Sequence, residues 1–219
     1  KWNGMMIQKK IGYTIWNDNF PADKLPEIFR IQNPETAVGN YIFSPSDGFV
    51  AIEAEHYYSL KDAANAKWTV IPYMGRTLSG VSLMPYSQSV DNASISYKMK
   101  LPDNVKTVTV HVVVKSTLAF ANLSGHRYKV GFNSADEQTI NFNSDLNEKK
   151  ENIYTIFYPT VARRVVEKKV ELNVPASVDG MQMLTLSPLD PGIVFEKIVV
   201  DFGGYKNSYL FGKESPCNR

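Results

Sequence analysis

The sequence predicts a mainly β protein, an antiparallel β-sandwich of jelly-roll type preceded by an irregular N-terminal extension. Two observations carry this. Apolar and polar residues alternate at period two through about ten short stretches, and clusters of Gly, Pro, Asn and Asp separate those stretches with almost no helical periodicity between them.

Residues 1–32 crowd Trp2, Met5, Met6, Ile11, Tyr13, Ile15, Trp16, Phe20, Leu25, Ile28 and Phe29 into one segment, while Pro21 and Pro26 break any long helix. This reads as the tail of a preceding domain. The opening Lys1-Trp2-Asn3-Gly4 carries neither an initiator Met nor a leader, so a cut made mid-chain is expected. Residues 33–47 are dense in turn formers and read as a linker. The sandwich module is expected over 48–204, and residues 205–219 as a C-terminal tail with a frayed end holding the single cysteine, Cys217.

Within the module, Val50, Ile52 and Ala54 alternate with Ala51, Glu53 and Glu55, the pattern of a strand with one buried face. Further strands are expected at 68–71, 77–84, 93–101, 107–114, 127–132, 138–142, 169–174, 181–186 and 193–201. Pro159 suits a first helical turn, with Val161 and Val165 four apart, so a short helix is expected over 159–166. Asp190-Pro191-Gly192 offers Pro and Gly in the positions a type II turn requires and is expected to join the last two strands as a hairpin.

The 219 residues suffice for a self-supporting core without metal or disulfide staples. Lys and Arg number 24 against 22 Asp and Glu, and they are interspersed, so no nucleic-acid surface is expected. Even Arg163 to Lys169 contains Glu167. No apolar run approaches the ~20 residues of a membrane helix.

Glu53 and Glu55 lead the chemical candidates, because a spacing of two on a strand sends both carboxylates to one face. Three readings stay open: a solvated strand face, a structural Ca²⁺ site completed by Asp201 and backbone carbonyls, and a catalytic acid/base pair. The last has a geometric weakness. Glycosidase carboxylates flank the substrate from opposite sides, about 5–9.5 Å apart, which same-face neighbours on one strand do not. No Gly-x-Ser-x-Gly elbow, His-Glu-x-x-His or phosphate loop is present, so no catalytic residue is assigned. Trp68, Arg76, Tyr57 and His56 form the candidate carbohydrate-binding set: aromatic rings stack on pyranose faces and a guanidinium grips a uronate carboxylate. The competing reading puts Trp68 in the core and pairs Arg76 with Glu53 or Glu55.

Several segments together resemble the C-terminal region of glycoside hydrolase family 115, the xylan α-glucuronidases. They are Lys1 to Met6, Ile11 to Trp16, Gly48 to Tyr57, Trp68, Gly75 to Ser79, Gly125 to Tyr128, Asp190 to Val194, Lys197 to Asp201, Gly203-Gly204 and Ser208 to Leu210. The chain departs from that pattern at Lys10 and at Phe211-Gly212-Lys213. The Ile-Glu-Ala-Glu strand followed by a late Asp also resembles carbohydrate-binding module families 6 and 35, which implies a structural Ca²⁺ held by Glu53, Glu55 and Asp201. The family resemblance implies a galactose-binding or carbohydrate-binding-module-like sandwich belonging to a larger enzyme. That enzyme would remove (4-O-methyl)glucuronic acid from xylan and carry its catalytic carboxylates in an upstream barrel. The module would then be non-catalytic, serving interdomain packing with the upstream catalytic domain, homodimer formation and glycan contact, in a secreted or periplasmic bacterial protein. The alternative is a stand-alone carbohydrate-binding module for uronic-acid-decorated glucuronoxylan.

Overall fold

The structure, a computed structural model, describes residues 39–121, 124–134 and 136–219; the segment expected as a preceding domain's tail, 1–32, lies outside them. Two sheets face each other. One contains β1 (Ile42–Phe43), β3 (Ser59–Lys61), β6 (Ser94–Lys100), β8 (Arg127–Gly131), β9 (Gln138–Asn141), β11 (Met181–Pro188) and β13 (Cys217–Asn218). Its order is β13-β1-β6-β11-β8-β9, with β3 also on β6. The other contains β2 (Phe49–Glu53), β4 (Lys67–Ile71), β5 (Gly80–Met84), β7 (Thr107–Lys115), β10 (Val165–Asn173) and β12 (Phe195–Asp201). Its order is β10-β7-β12-β5-β4, with β2 also on β12. Every pairing is antiparallel except β1 with β6.

The predicted sandwich is therefore the observed one, and the alternation explains it. On β6, Ile95, Tyr97 and Met99 point inward while Ser94, Ser96, Lys98 and Lys100 point out; on β11, Leu184 and Leu186 meet them from the neighbouring strand. Val108, Val110, Val112 and Val114 of β7 and Ile198 and Val200 of β12 close the core from the second sheet.

Four expectations need correction. The Asp190-Pro191-Gly192 turn has the positive φ expected at Gly192 (83°), but it does not close a hairpin: β11 and β12 lie in different sheets, so the turn carries the chain across the sandwich. The helix ends early. A π-turn over Ile153–Phe157 runs into α1 (Tyr158–Arg163), where Arg164 turns left-handed at φ 60°, because Val165 and Val166 are claimed by β10 pairing with Lys115 and Val114. Residues 41–43 are no linker, since Tyr41 and Phe43 are buried in the core.

The C-terminal stretch is not a frayed tail. Cys217 pairs with Phe43, and residues 205–215 lie against the outer face of the second sheet. There Phe211 and Tyr205 join Ala51, Phe49, Val113, Val165 and Val199 in a second, smaller core. The same strap closes the free edge of β2: Ser215 N–H donates to the Ala51 carbonyl and Ala51 N–H donates to Ser215 Oγ, each at 2.9 Å. Among the described residues no helix is long and apolar enough to cross a membrane.

Candidate functional site

The strand geometry sends Glu53 to the outer face of the second sheet, as the sequence indicates, but the strap covers it. Glu53 is 2% exposed and Glu55 is wholly buried. Opposite Glu53 in the β2–β12 register stands Lys197, itself 1% exposed. Its Nζ lies 2.9 Å from Glu53 Oε1 and donates to the carbonyls of Leu210 (3.0 Å) and Gly212 (2.5 Å). Three acceptors therefore surround an ammonium that has three protons to give. Thr77 Oγ1 adds a 2.5 Å bond to the same Glu53 oxygen. A buried ion pair repays its desolvation only with such added hydrogen bonds, and here they serve the ammonium and Glu53 Oε1.

Glu214, on the strap, is the second anchor. Its Oε1 accepts the Glu53 N–H at 3.0 Å and lies 2.8 Å from His56 Nδ1. Burial would lower the His56 pKa, but the hydrogen bond and negative charge of Glu214, with Glu55 and Glu53 behind it, raise it above the ordinary imidazole value. The His56 ring also packs at a 32° tilt against Tyr41, with centroids 4.6 Å apart.

Glu55 lies just past the end of β2 beside the Ser79 hydroxyl, whose hydrogen bond favours its charged form, and Glu53 Oε2 has no hydrogen-bond partner. Burial pushes the Glu55 pKa up. Glu196, which sequence reasoning passed over, is also sealed at 1% exposure, 3.4 Å from Lys115 Nζ, and burial raises its pKa as well. A signal for it existed: Glu196-Lys197 interrupts the apolar run from Ile193 to Val200.

Asp201 does not join the glutamates. It faces Phe49, four residues along β12 from the Glu53–Lys197 rung and so roughly 13 Å away at ~3.3 Å per residue. Its Oδ1 instead accepts the N–H groups of Gly203 (2.8 Å), Gly204 (3.1 Å) and Tyr205 (3.0 Å), fixing the turn that launches the strap. Among the described residues no three His, Cys, Asp or Glu side chains gather as a metal site. The oxygens that fit a hard cation are those of Glu53, Glu55 and Ser79, without Asp201.

Nor does the sugar-binding set assemble. Trp68 is 9% exposed, packs on Phe195 with centroids 6.2 Å apart and donates its Nε1–H to the Lys61 carbonyl at 2.9 Å. Trp68 and Val70 share the inward face of β4, which is why the ring is core rather than platform. Tyr57 packs against the main core, and burial, then Asp62, raises its pKa. Arg76 lies over the Tyr209 ring at 4.0 Å, donates to the Arg163 carbonyl, and has Glu196, not Glu53 or Glu55, as the carboxylate beside it. His56 is taken by Glu214.

The sequence matches the glycosyl hydrolase family 115 C-terminal domain over residues 42–214. The chain belongs to this family. Solved structures similar to this family 115 C-terminal domain include the 4-O-methyl-α-glucuronidase BtGH115A, described as specific for decorated arabinogalactans. It is 15% identical, with a TM-score of 0.47, and the match covers 68% of this chain but 18% of that one. Another is the C-terminal family 6 carbohydrate-binding module of the laminarinase LamC from Zobellia galactanivorans, at 15% identity, TM-score 0.42, covering 70% and 98% of the two chains. A third is the family 6 module from Cellvibrio mixtus lichenase 5A, at 10% identity, TM-score 0.41, covering 69% and 95%. A search among curated proteins found no match. The expected family stands, the two facing sheets give the expected fold class, and in this family 115 domain Lys197 and Glu214 tie the C-terminal strap down.

Proposed function

We propose that this domain is the non-catalytic C-terminal module of a xylan α-glucuronidase-like glycoside hydrolase and that it packs against the upstream catalytic domain. The observation that carries this is an uncovered apolar stripe on the helical insertion between β9 and β10. Tyr154, Tyr158 and Val161, spaced four and three residues apart, are 76%, 49% and 57% exposed, and the two tyrosine rings lie 5.7 Å from each other. Helical residues at this spacing share one face, and neither turn of this insertion buries any residue of its own. The carboxylates a catalytic reading would need, Glu53 and Glu55, are closed off under the strap, which further supports an accessory role.

The test uses the full-length enzyme. Glucuronate release from glucuronoxylan is expected from the full chain and not from this domain, and Tyr154→Ser with Tyr158→Ser should split a single calorimetric transition into two. Release by the domain alone, or an unsplit transition, removes the proposal. Light scattering of the isolated domain decides whether the stripe instead meets a second copy: a dimer that Tyr154→Ser and Tyr158→Ser dissolve replaces the interdomain assignment with a homodimer. Because polymeric xylan does not cross a membrane, this reading puts the enzyme outside the cell if it acts on the polymer and in the periplasm if it acts on imported xylo-oligosaccharides.

A second reading is favoured by the buried oxygens that Glu53, Glu55 and Ser79 bring together: a structural Ca²⁺ ion, which takes hard oxygen ligands. An ion held only by the folded state raises the melting temperature through linkage. Chelator is expected to lower that temperature, and an unchanged melt removes the ion.

A further inference from the structure

The outward face of the seven-stranded sheet is a regular surface of alternating outward side chains, distinct from the face that the strap covers. Its composition follows from the same alternation that fills the core. Ser94 and Ser96 of β6 and Thr185 and Ser187 of β11 form a central strip of small hydroxyl side chains, with Ser96 Oγ and Thr185 Oγ1 3.0 Å apart. Bases rim the strip on both flanks. Lys61 stands beside Ser94 on β3, and Lys129 stands between Ser187 and Thr139 on β8. At one end Lys98 and Lys100 sit beside Met183 and Met181, and at the other Arg127 faces Asn141.

Few acids oppose these bases. Asp190 holds Arg127 through two bonds of 2.9 and 3.1 Å, and Glu137 lies 3.6 Å from Lys129. Lys98 rests over the Tyr58 ring at 4.8 Å and lends charge to Asp179, beyond the end of β11. Lys61, Lys98 and Lys100 make no ion pair among the described residues. The arrangement is thus a strip of hydroxyl side chains flanked by ammonium groups on two long paired strands.

From this geometry we infer that the face binds a uronate-bearing polysaccharide: the sugar hydroxyls exchange hydrogen bonds with Ser94, Ser96, Thr185 and Ser187, and the uronate carboxylates pair with Lys61, Lys98 and Lys129. The chemistry selects this partner over others. A neutral glycan would leave the lysine rims unanswered. A nucleic acid calls for denser positive charge than a chain of net charge +2 supplies. Stacking aromatic rings are scarce on the face, so binding rests on exposed charge and is weak and salt-sensitive. The inference rests on the accessory-module reading but places the glycan on a different surface from the residues that the sequence suggested.

The test titrates the full 219-residue chain with a xylo-oligosaccharide carrying one glucuronate, and with the same oligosaccharide after reduction of its carboxyl to the alcohol, followed by calorimetry and amide NMR. The acidic sugar should bind and perturb β6, β8 and β11 amides, the reduced sugar should bind at least tenfold more weakly, and 0.5 M NaCl should abolish binding. Lys61→Glu, Lys98→Glu and Lys129→Glu combined should lower affinity at least tenfold with an unchanged melting temperature. Equal binding by that variant or by the reduced sugar overturns the inference, as does absence of any binding. So does equally tight binding of a sulfated oligosaccharide of the same charge, which would mark a general anion surface. In each of these cases the accessory-module reading still stands or falls separately, on glucuronate release by the full-length enzyme.

Discussion

Lys197 occupies a strand position whose neighbours are Ile198, Val199 and Val200, and it survives there only because three acceptors meet its protons. Replacing it with Met leaves the Glu53 charge buried and unanswered, a loss of about 3–5 kcal/mol. Urea denaturation of Lys197→Met should show that loss, and adding Glu53→Gln should recover most of it; a Lys197→Met protein as stable as the parent would contradict the pairing. Protonation acts at the same scale. Burial works against the Glu167 charge, but the bond to His111 at 2.7 Å and the charges of His111, Lys169 and Arg163 bring its pKa below the ordinary value. A carboxyl with a lowered folded pKa contributes stability above its unfolded pKa and loses it as pH falls through the folded one. The melting-temperature gap between the parent and Glu167→Gln should therefore be full above about pH 5 and close toward pH 3. His56 has the opposite dependence. Its raised pKa gives stability that is complete below about pH 6.5 and fades as pH rises, so the gap between the parent and Glu214→Gln should narrow in alkaline buffer. At this scale the sequence shows which face Glu53 takes but not its burial, because the strap that seals it arrives from 161 residues away.

Among the elements, the strap depends on a close backbone approach. A Cβ on Gly204 would sit 1.6 Å from the Asp47 carbonyl oxygen, with the Gly48 Cα at 2.8 Å, and both obstacles are backbone that cannot swing aside. Gly204→Ala should accordingly cost about 3 kcal/mol or more, visible as a shifted denaturation midpoint. Ser215→Ala removes the acceptor of the Ala51 N–H and should cost about 1–3 kcal/mol, with faster hydrogen exchange at Ala51. An unchanged Ala51 exchange rate would mean that the strap does not guard the β2 edge. The long strands were legible because five or more alternating residues set a phase. β1, β3 and β13, of two or three residues, carry no period and are fixed by partners distant in sequence. For the same reason Asp190-Pro191-Gly192 reveals a turn but not which sheet receives the chain after it: turn chemistry is local, whereas the choice is made by the pairing of β12 with β7 and β2.

Over the molecule as a whole, the second sheet is assembled largely by pairing strands far apart in the sequence. β12 is the strand on which the second sheet closes, with β7 along one edge and β2 and β5 sharing the other, and Glu53 and Lys197 are 144 residues apart in the chain. During synthesis at about 5–20 residues per second, β2 must wait roughly 7–30 s before its partner leaves the ribosome. Until then Val50 and Ile52 have no sheet to join, and chaperones are the natural shelter for them. Nascent chains stalled before residue 195 should leave β2 open to protease, while chains released past residue 219 should not.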